Sequence, residues 1–316
     1  MLRLSVRYVQ RDLVSSCCSG KARMRRRTLL ITAAGLSFVL AGCGAEAELW
    51  PEVNIVGPSR TLPPPPPESP LPTVPSEGLG GSDPGGLDLG QYPSTATEWG
   101  QSITGVRTRL ATDEPVVVIT LDACAGPGGT GYDSELIDLL VAEDVPATLF
   151  VTRTWIEANE NVFAELANHG LFEVANHGTA CRPLSITGRS AYGITGTSSA
   201  AEVVDEIVGG QEAIQERTGV APLYFRAGTA HYDNVAVRIV QDLGLLPVGS
   251  DLLGDGGATF TAAQVAAELE RAQAGSIVLL HMNHPESGTV DGVRAALPSL
   301  RDRGFRFVLL SDYPLE

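Results

Sequence analysis

The sequence is poor in lysine, aromatic residues and cysteine, and these shortages narrow the functions that the chain can have. Lys21 is the only lysine, aromatic residues make up 6% of the chain, and there are five cysteines. Residues 43–316 carry 14 basic and 36 acidic side chains, a net charge of −22. Because phosphate backbones repel a body this acidic, we expect no nucleic-acid partner.

Two further absences concern cofactors and membranes. No G-x-G-x-x-G turn follows the first predicted strand, which argues against a dinucleotide site. The apolar run TLLITAAGLSFVL has thirteen residues, fewer than the roughly 20 that cross a bilayer. It follows Arg25-Arg26-Arg27 and precedes LAGC, as in a bacterial signal peptide with a lipobox, so residues 1–42 are predicted to be removed and Cys43 to be lipidated. An ordinary signal peptide or a membrane anchor is the alternative, and residues 1–23 could be a mis-assigned start.

Residues 43–98 have the composition of a tether. They contain TLPPPPPESPLP and SEGLGGSDPGGLDLG, which have no hydrophobic period. Proline-rich and then glycine-rich segments of this kind make extended and flexible linkers without a core. We therefore expect an exported, lipid-anchored protein whose folded domain faces the cell envelope.

Residues 99–316 alternate between apolar runs and amphipathic segments. The runs predict seven strands, over residues 116–121, 147–151, 172–175, 223–225, 246–250, 276–280 and 305–310. Several of the intervening segments end in glycine, as helices do. This alternation predicts an α/β fold, a distorted (β/α)7-type barrel of parallel strands, with an open doubly wound sheet as the alternative.

Polar residues follow most of these predicted strands. They are Asp122, Asn176-His177, Arg226, Asp251, His281 and Asp312. In a parallel barrel the carboxyl ends of the strands open on one face, which carries the active site. The sequence therefore predicts that these side chains converge on one cavity.

The same segments resemble the motifs of the polysaccharide deacetylases, the NodB-homology fold of carbohydrate esterase family four. The resemblance covers residues 115–311. Its matching pieces, in chain order, are ITLDAC, NHGTAC, YFRAGTAHYD, VGSD and IVLLHMN. It implies metal-assisted hydrolysis of an N- or O-acetyl group on a sugar, in which a divalent metal, most often Zn²⁺, activates water.

The resemblance also implies roles for individual residues. Asp122 would be the general base, held in place by Arg226. His281 would be the general acid, with Asp251 tuning it. His177 would be a metal ligand.

Two positions depart from the family pattern. Ala123 stands where the family has a second aspartate, and Cys181 stands where it has a second histidine. Cys124, His177 and Cys181 could form a Cys2His zinc site with one open position. Alternatively, Cys124 and Cys181 form a disulfide in the oxidising exported compartment, or remain free thiols. Asp122 and His231 are further candidate ligands.

Substrate contacts are predicted at Tyr232, His231 and Asn283, with Tyr132 and Tyr192 as further stacking candidates. The polar, glycine-rich segment 188–197 predicts a loop over the cavity rim. We expect a monomer.

Three functions remain open on the sequence alone. The first is a lipid-anchored, metal-dependent deacetylase of an envelope polysaccharide such as peptidoglycan. The second is a glycan-binding lipoprotein on the same fold without catalytic activity. The third is a metal-dependent amidase acting on a non-sugar C–N bond, which the shortage of aromatic stacking platforms keeps open.

Overall fold

The structure is a computed structural model that describes residues 86–126 and 129–316. The predicted signal peptide, the lipidation site Cys43 and most of the predicted tether lie outside these residues. None of the helices in the described ranges is long and apolar enough to cross a bilayer.

Short strands and seven helices alternate along the described chain. The strands are β1 (Trp99–Gly100), β2 (Val116–Ala123), β3 (Ala147–Val151), β4 (Phe172–Asn176), β5 (Ser190–Ala191), β6 (Ile194–Thr195), β7 (Tyr224–Phe225), β8 (Tyr232–Asp233), β9 (Leu246–Pro247), β10 (Leu252–Leu253), β11 (Ser276–His281) and β12 (Arg306–Phe307). The helices are α1 (Ser134–Ala142), α2 (Arg153–Ala158), α3 (Glu160–Ala167), α4 (Ala200–Thr218), α5 (Asn234–Asp242), α6 (Ala262–Leu269) and α7 (Thr289–Asp302).

The main sheet is parallel throughout and confirms the predicted fold class. Its order is β10-β11-β2-β3-β4-β7-β9, and β12 pairs with the start of β2. Every residue of β2 is buried, as expected for a central strand covered on both faces. The strands curl into a half-barrel, and all seven predicted strands are present in it.

One extended segment crosses the opening between the two sheet edges. The Arg107 amide donates to the Pro247 carbonyl beside β9, and the Leu110 amide donates to the Gly275 carbonyl before β11. Residues 107–110 therefore connect the edge strand β9 to the start of β11, which neighbours the other edge strand, β10.

The helices begin where the sequence provides capping side chains. Asp133, Thr152, Ser199, Asp233 and Thr261 each accept a hydrogen bond from an amide of the first turn. These caps fix the ends of the loops that leave the carboxyl edge of the sheet, which is where the candidate site lies.

The amphipathic segment over residues 154–170 forms two helices, α2 and α3, because Asn159 leaves the helical conformation. Its φ and ψ are −134° and 40°. Its side-chain Nδ2 donates to the Thr130 and Trp155 carbonyls. The side chain thus satisfies the end of α2 and permits a new start at Glu160.

The predicted domain boundary at Trp99 is too late. Tyr92 is buried and its hydroxyl donates to Asp242 at the end of α5. The Thr97 and Glu98 amides both donate to the Asn234 side chain at the start of α5. Residues 92–98 therefore belong to the folded domain and not to the tether.

Candidate active site

A cavity of about 880 Å³ lies at the carboxyl edge of the sheet. Asp122, His177 and His281 form part of its lining, together with Cys124 and Cys181. The structure therefore brings together side chains that follow or end three different strands, as the sequence predicts for a parallel barrel.

Asp122 and Arg226 form a buried ion pair at the floor of this cavity. One Arg226 terminal nitrogen donates to Asp122 Oδ1 at 2.6 Å and to Thr120 Oγ1 at 2.8 Å. The other donates to the Gly249 carbonyl at 2.8 Å, and the guanidinium lies 4.1 Å above the Phe150 ring. These contacts fix the carboxylate and leave Oδ2 directed at His177, 3.6 Å from its Nε2.

His281 forms a second pair with Asp255. Its Nδ1 lies 2.9 Å from Asp255 Oδ1, and its own amide donates to Oδ2 at 2.7 Å. Burial opposes the charged imidazole, but the Asp255 carboxylate outweighs it and raises the pKa of His281 above its ordinary value. Burial also opposes the charged carboxylate, yet His281 and the amide hydrogen bonds hold the pKa of Asp255 below its ordinary value. The pair therefore favours the imidazolium form of His281.

The prediction that Asp251 tunes His281 is wrong, because Asp251 lies at the other end of β11. It pairs with Arg109 and accepts a hydrogen bond from the Ile277 amide at the start of that strand. Ile277 and His281 are about 13 Å apart along an extended strand. The segment after Asp251 runs parallel to β11, so it is the residue four positions later, Asp255, that reaches His281.

His177 is buried with a defined tautomer. Its Nδ1 lies 2.7 Å from the Arg226 carbonyl, which can only accept, so Nδ1 carries the proton. Nε2 therefore presents a lone pair to the cavity. Burial lowers the pKa of His177, which keeps the ring neutral.

Cys124 and Cys181 form a disulfide bond across the cavity wall. The structure therefore selects the disulfide among the alternatives that the sequence left open. The predicted Cys2His ligand set is absent from this oxidised state, because both sulfurs are bonded to each other and are no longer thiolates.

The oxidised site does not fit the divalent metal that the resemblance implies. Its remaining donors are His177 Nε2 and the Asp122 carboxylate, and Ala123 contributes none. Catalytic zinc sites commonly use three protein ligands. The donor set is therefore one ligand short while the disulfide is intact.

The predicted substrate contacts have different outcomes. Tyr232 is fully buried and its hydroxyl bonds to backbone groups of Phe225, Ala227 and Val248, so its assignment to substrate is wrong. Asn283 lines the cavity but is 2% exposed.

The side-chain Nδ2 of Asn283 donates to the Cys124 and Gly129 carbonyls. It therefore holds the loop after β2 in place. The sequence predicted a substrate contact at Asn283, whereas its hydrogen bonds in the structure are to the protein backbone.

An aromatic cluster stands beside the cavity mouth. The His231 ring lies 5.6 Å from the Trp99 ring and 5.5 Å from the Tyr192 ring, and Arg189 lies over Trp99 at 5.0 Å. Tyr192 is 76% exposed and lines the mouth with the exposed side chains of Ile194 and Leu253. Despite the low aromatic content, this rim offers a platform of aromatic rings, tilted against one another by 43° and 85°.

Several residues around the cavity have left-handed backbone conformations. Cys181 has φ 62°, Tyr192 has φ 50° and Thr229 has φ 61°. Such conformations cost energy in non-glycine residues and concentrate at functional sites. Gly228 lacks a side chain where a Cβ would collide with the Cys181 carbonyl, so the two segments can pack closely.

The Glu206 carboxylate holds the segment that carries Cys181. Its Oε1 accepts from the Ala180 amide at 2.9 Å and from the Arg182 amide at 3.1 Å. Glu206 lies on α4, so the helix fixes the position of Cys181 from behind.

Comparison with known proteins agrees with this geometry. Residues 109–248 match the family model described as polysaccharide deacetylase. Over these residues the chain is similar to the polysaccharide deacetylase family. The matched residues include Asp122, His177 and Arg226, whereas Asp255 and His281 follow them in the chain.

Individual relatives are distant. A peptidoglycan-N-acetylglucosamine deacetylase of Bacillus cereus is 25% identical over 215 residues, which is 66% of this chain and 92% of the relative. A solved family 4 acetyl xylan esterase of Clostridium thermocellum, in complex with a cobalt ion, has a TM-score of 0.52 and 24% identity, covering 62% of this chain and 89% of its own.

A family pseudoenzyme of Bacillus anthracis has the same fold. Its structure has a TM-score of 0.55 and 20% identity, and the match covers 65% of this chain and 67% of that chain. A mutant of that pseudoenzyme is described as having restored enzymatic activity. The family therefore includes both hydrolases and proteins on the same fold without activity.

Proposed function

We propose that the chain is an exported lipoprotein hydrolase that removes N- or O-acetyl groups from a cell-envelope polysaccharide. One observation carries this proposal: a carboxylate fixed by a buried arginine and an imidazole fixed by a buried carboxylate face the same cavity. Asp122 and His281 are paired neighbours in the parallel ladder of β2 and β11. A hydrolase needs a base and an acid in such proximity.

In this proposal Asp122 is the general base and His281 the general acid. Asp122 Oδ2 accepts a proton from the attacking water, whose oxygen adds to the acetyl carbonyl carbon. His281 then donates its Nε2 proton to the leaving nitrogen or oxygen as the C–N or C–O bond breaks, giving acetate and the free amine or alcohol. Asp255 holds Nδ1 and favours the protonated ring that this donation requires.

The substrate assignment draws on the rim and the relatives. The platform of Trp99, Tyr192 and His231 suits a sugar ring, since the faces of pyranose rings are apolar. A named relative acts on N-acetylglucosamine of peptidoglycan, which makes envelope glycan our first choice. A lipid anchor at Cys43 and the tether after it would hold a monomeric domain against that substrate.

The test measures acetate released from N-acetylglucosamine oligomers by the full chain, as purified and after reduction. Asp122→Asn and His281→Ala are each expected to lower kcat by roughly 10²- to 10⁴-fold. Asp251→Asn is the control, because Asp251 lies at the opposite end of β11. Equal turnover by the wild type and the three variants would show that the acid–base assignment is wrong.

A second function, glycan binding without turnover, is favoured by the disulfide and by Ala123. Both changes remove metal donors while the cavity and its rim remain. This alternative is supported if the wild-type chain binds the oligomers in calorimetry and releases no acetate in either redox state.

A further inference from the structure

The disulfide joins two members of a compact group of metal-binding side chains. The sulfurs of Cys124 and Cys181 and a ring nitrogen of His177 all lie within 4.8 Å of one another. All three residues line the candidate active-site cavity. In the oxidised state the two sulfurs are bonded to each other and cannot bind a metal. Reduction would free both as ligands.

His177 is already arranged as a ligand. The Arg226 carbonyl accepts the Nδ1 proton at 2.7 Å and leaves Nε2 unprotonated. Metal-bound histidines almost always donate their other ring N–H to such an acceptor, which fixes tautomer and orientation. Nothing in this arrangement depends on the redox state of the cysteines.

The spacing between His177 and Cys181 matches a zinc site. Zn–S bonds of about 2.3 Å and Zn–N bonds of about 2.05 Å at a tetrahedral angle separate sulfur and nitrogen by about 3.6 Å. Cys181 Sγ lies 3.6 Å from His177 Nε2. Cys181 is held from behind by Glu206, so its thiolate would meet the ion without a backbone shift.

Cys124 is the ligand that has to move, and its surroundings allow it. It is half-buried, and Ala125 and Gly126 after it are more open than the strand residues before it. Cys124 and Cys181 both line the cavity and are only partly buried, so a reductant can approach the bond from the cavity side. The hydrogen bond from Asn283 to the Cys124 carbonyl holds the backbone while the side chain rotates.

We propose that reduction of the Cys124–Cys181 bond creates a Cys2His site for Zn²⁺, so that the redox state of this bond decides whether the cavity holds a metal. A dithiol reductant supplies two electrons and two protons, is itself oxidised to a disulfide, and leaves two thiols. Zn²⁺ then displaces both thiol protons and binds two thiolates and His177 Nε2. The fourth position faces the cavity.

This inference deepens the proposed function, on which its biological meaning rests, but its readout is bound metal and not hydrolysis. The sample is the full chain in detergent, with Cys17, Cys18 and Cys43 replaced by serine so that all counted thiols belong to the site. It is compared as purified and after treatment with dithiothreitol, which is then removed by anaerobic gel filtration.

Each sample is equilibrated with Zn²⁺ for elemental analysis and with Co²⁺ for absorption spectroscopy. The reduced chain is expected to bind about one ion and to show thiolate-to-cobalt charge transfer, whereas the oxidised chain binds almost none. Cys124→Ser, Cys181→Ser and His177→Ala are each expected to weaken binding by roughly 10- to 100-fold or more. His169→Ala, which removes an imidazole outside the cavity, is the matched control and should bind normally.

Three results would overturn the inference: equal metal content in the two redox states, no metal in the reduced chain, or reduced-state binding that survives Cys181→Ser. Circular dichroism of each variant separates loss of the site from loss of the fold. Metal binding without acetate release would refute the proposed hydrolase and leave the redox-dependent site standing. Acetate release without metal binding would refute the redox-dependent site and leave the proposed hydrolase standing.

Discussion

The roles of single acidic residues in this domain depend on which end of a strand they reach. Asp251 and Asp255 are four residues apart and flank β10, which runs parallel to β11. One accepts from the amide at the start of β11 and the other from the amide at its end. Asp251 therefore pairs with Arg109 in the segment that closes the barrel, whereas Asp255 holds His281, the candidate catalytic histidine.

Replacing Asp255 with asparagine should lower the pKa of His281, because the carboxylate that stabilises the imidazolium is removed while burial remains. Removing one partner of a buried ion pair typically costs about 3 kcal/mol or more. Asp251→Asn should destabilise the fold through Arg109 but leave the titration of His281 unchanged. NMR titration of the His281 ring distinguishes the two variants.

The pH dependence of this effect has a defined sign. The raised pKa of His281 contributes stability that is complete below its ordinary value of about 6.5 and is lost as pH rises through the folded-state value. The lowered pKa of Asp255 contributes stability above about 3.9 that is lost as pH falls through the folded-state value. The stability gap between wild type and Asp255→Asn should therefore be larger at about pH 5.5 than at about pH 9 in urea denaturation. A gap that widens with pH would contradict this assignment.

At the scale of residues, sequence patterns located the cavity but not every partner within it. Asp122, His177, Arg226 and His281 were predicted because each follows or ends a strand, and the structure brings them together. Asp255 was missed because strand β10 has only two residues and gives no periodic signal. The parallel spacing of residues 251–255 and 277–281 is the signal that could have identified it.

Among the elements, the β5–β6 hairpin is the one that shapes the cavity mouth. Tyr192 lies in its turn and Ile194 on its second strand, both exposed. The Gly196 amide and the Arg189 carbonyl hydrogen-bond across its base. The hairpin therefore offers apolar surface that the core does not use, as a substrate-binding rim would.

Tyr192→Ala should weaken binding of glycan oligomers by about three- to tenfold, corresponding to one lost aromatic contact of roughly 0.5–1.5 kcal/mol. Because the side chain is 76% exposed, the free energy of unfolding should barely change. Val220→Ala, at a 68% exposed position after α4, is the control. Isothermal calorimetry measures the affinities; equal losses in both variants would exclude a specific role for the hairpin.

At this scale the strands were easier to predict than the ends of the helices and of the domain. All seven predicted strands are present because buried parallel strands are continuous apolar runs. The break at Asn159 depends on two side-chain hydrogen bonds. The packing of residues 92–98 depends on contacts with α5, more than 130 residues away, which composition does not reveal.

For the molecule as a whole, the disulfide is the longest covalent constraint within the described residues. It closes a loop across a sequence separation of 57 residues that includes α1, β3, α2, α3 and β4. Chain-entropy arguments assign such a loop about 4 kcal/mol of stabilisation. The Cys124→Ala/Cys181→Ala double variant should therefore melt roughly 8–16 °C below the oxidised wild type in calorimetry. Wild type reduced without metal should melt close to the double variant.

The predicted anchor also acts on the whole molecule. If Cys43 is lipidated, Cys43→Ser should move the protein from the membrane pellet to the soluble fraction and abolish labelling by radioactive fatty acid. The folded domain should be unaffected, which the melting temperature checks. Retention of Cys43→Ser in the membrane fraction would favour an uncleaved apolar segment as the anchor.

The backbone of Cys181 bears on how far this chain has diverged from its hydrolytic relatives. Cys181 is left-handed, a conformation that histidine adopts more readily than most residues with a side chain. Regaining the family histidine there would require no new backbone path. Ala123 is fully buried among apolar core residues, and an aspartate there would place a carboxylate in that core. Of the two departures from the family pattern, the one at Cys181 is therefore easier to reverse than the one at Ala123.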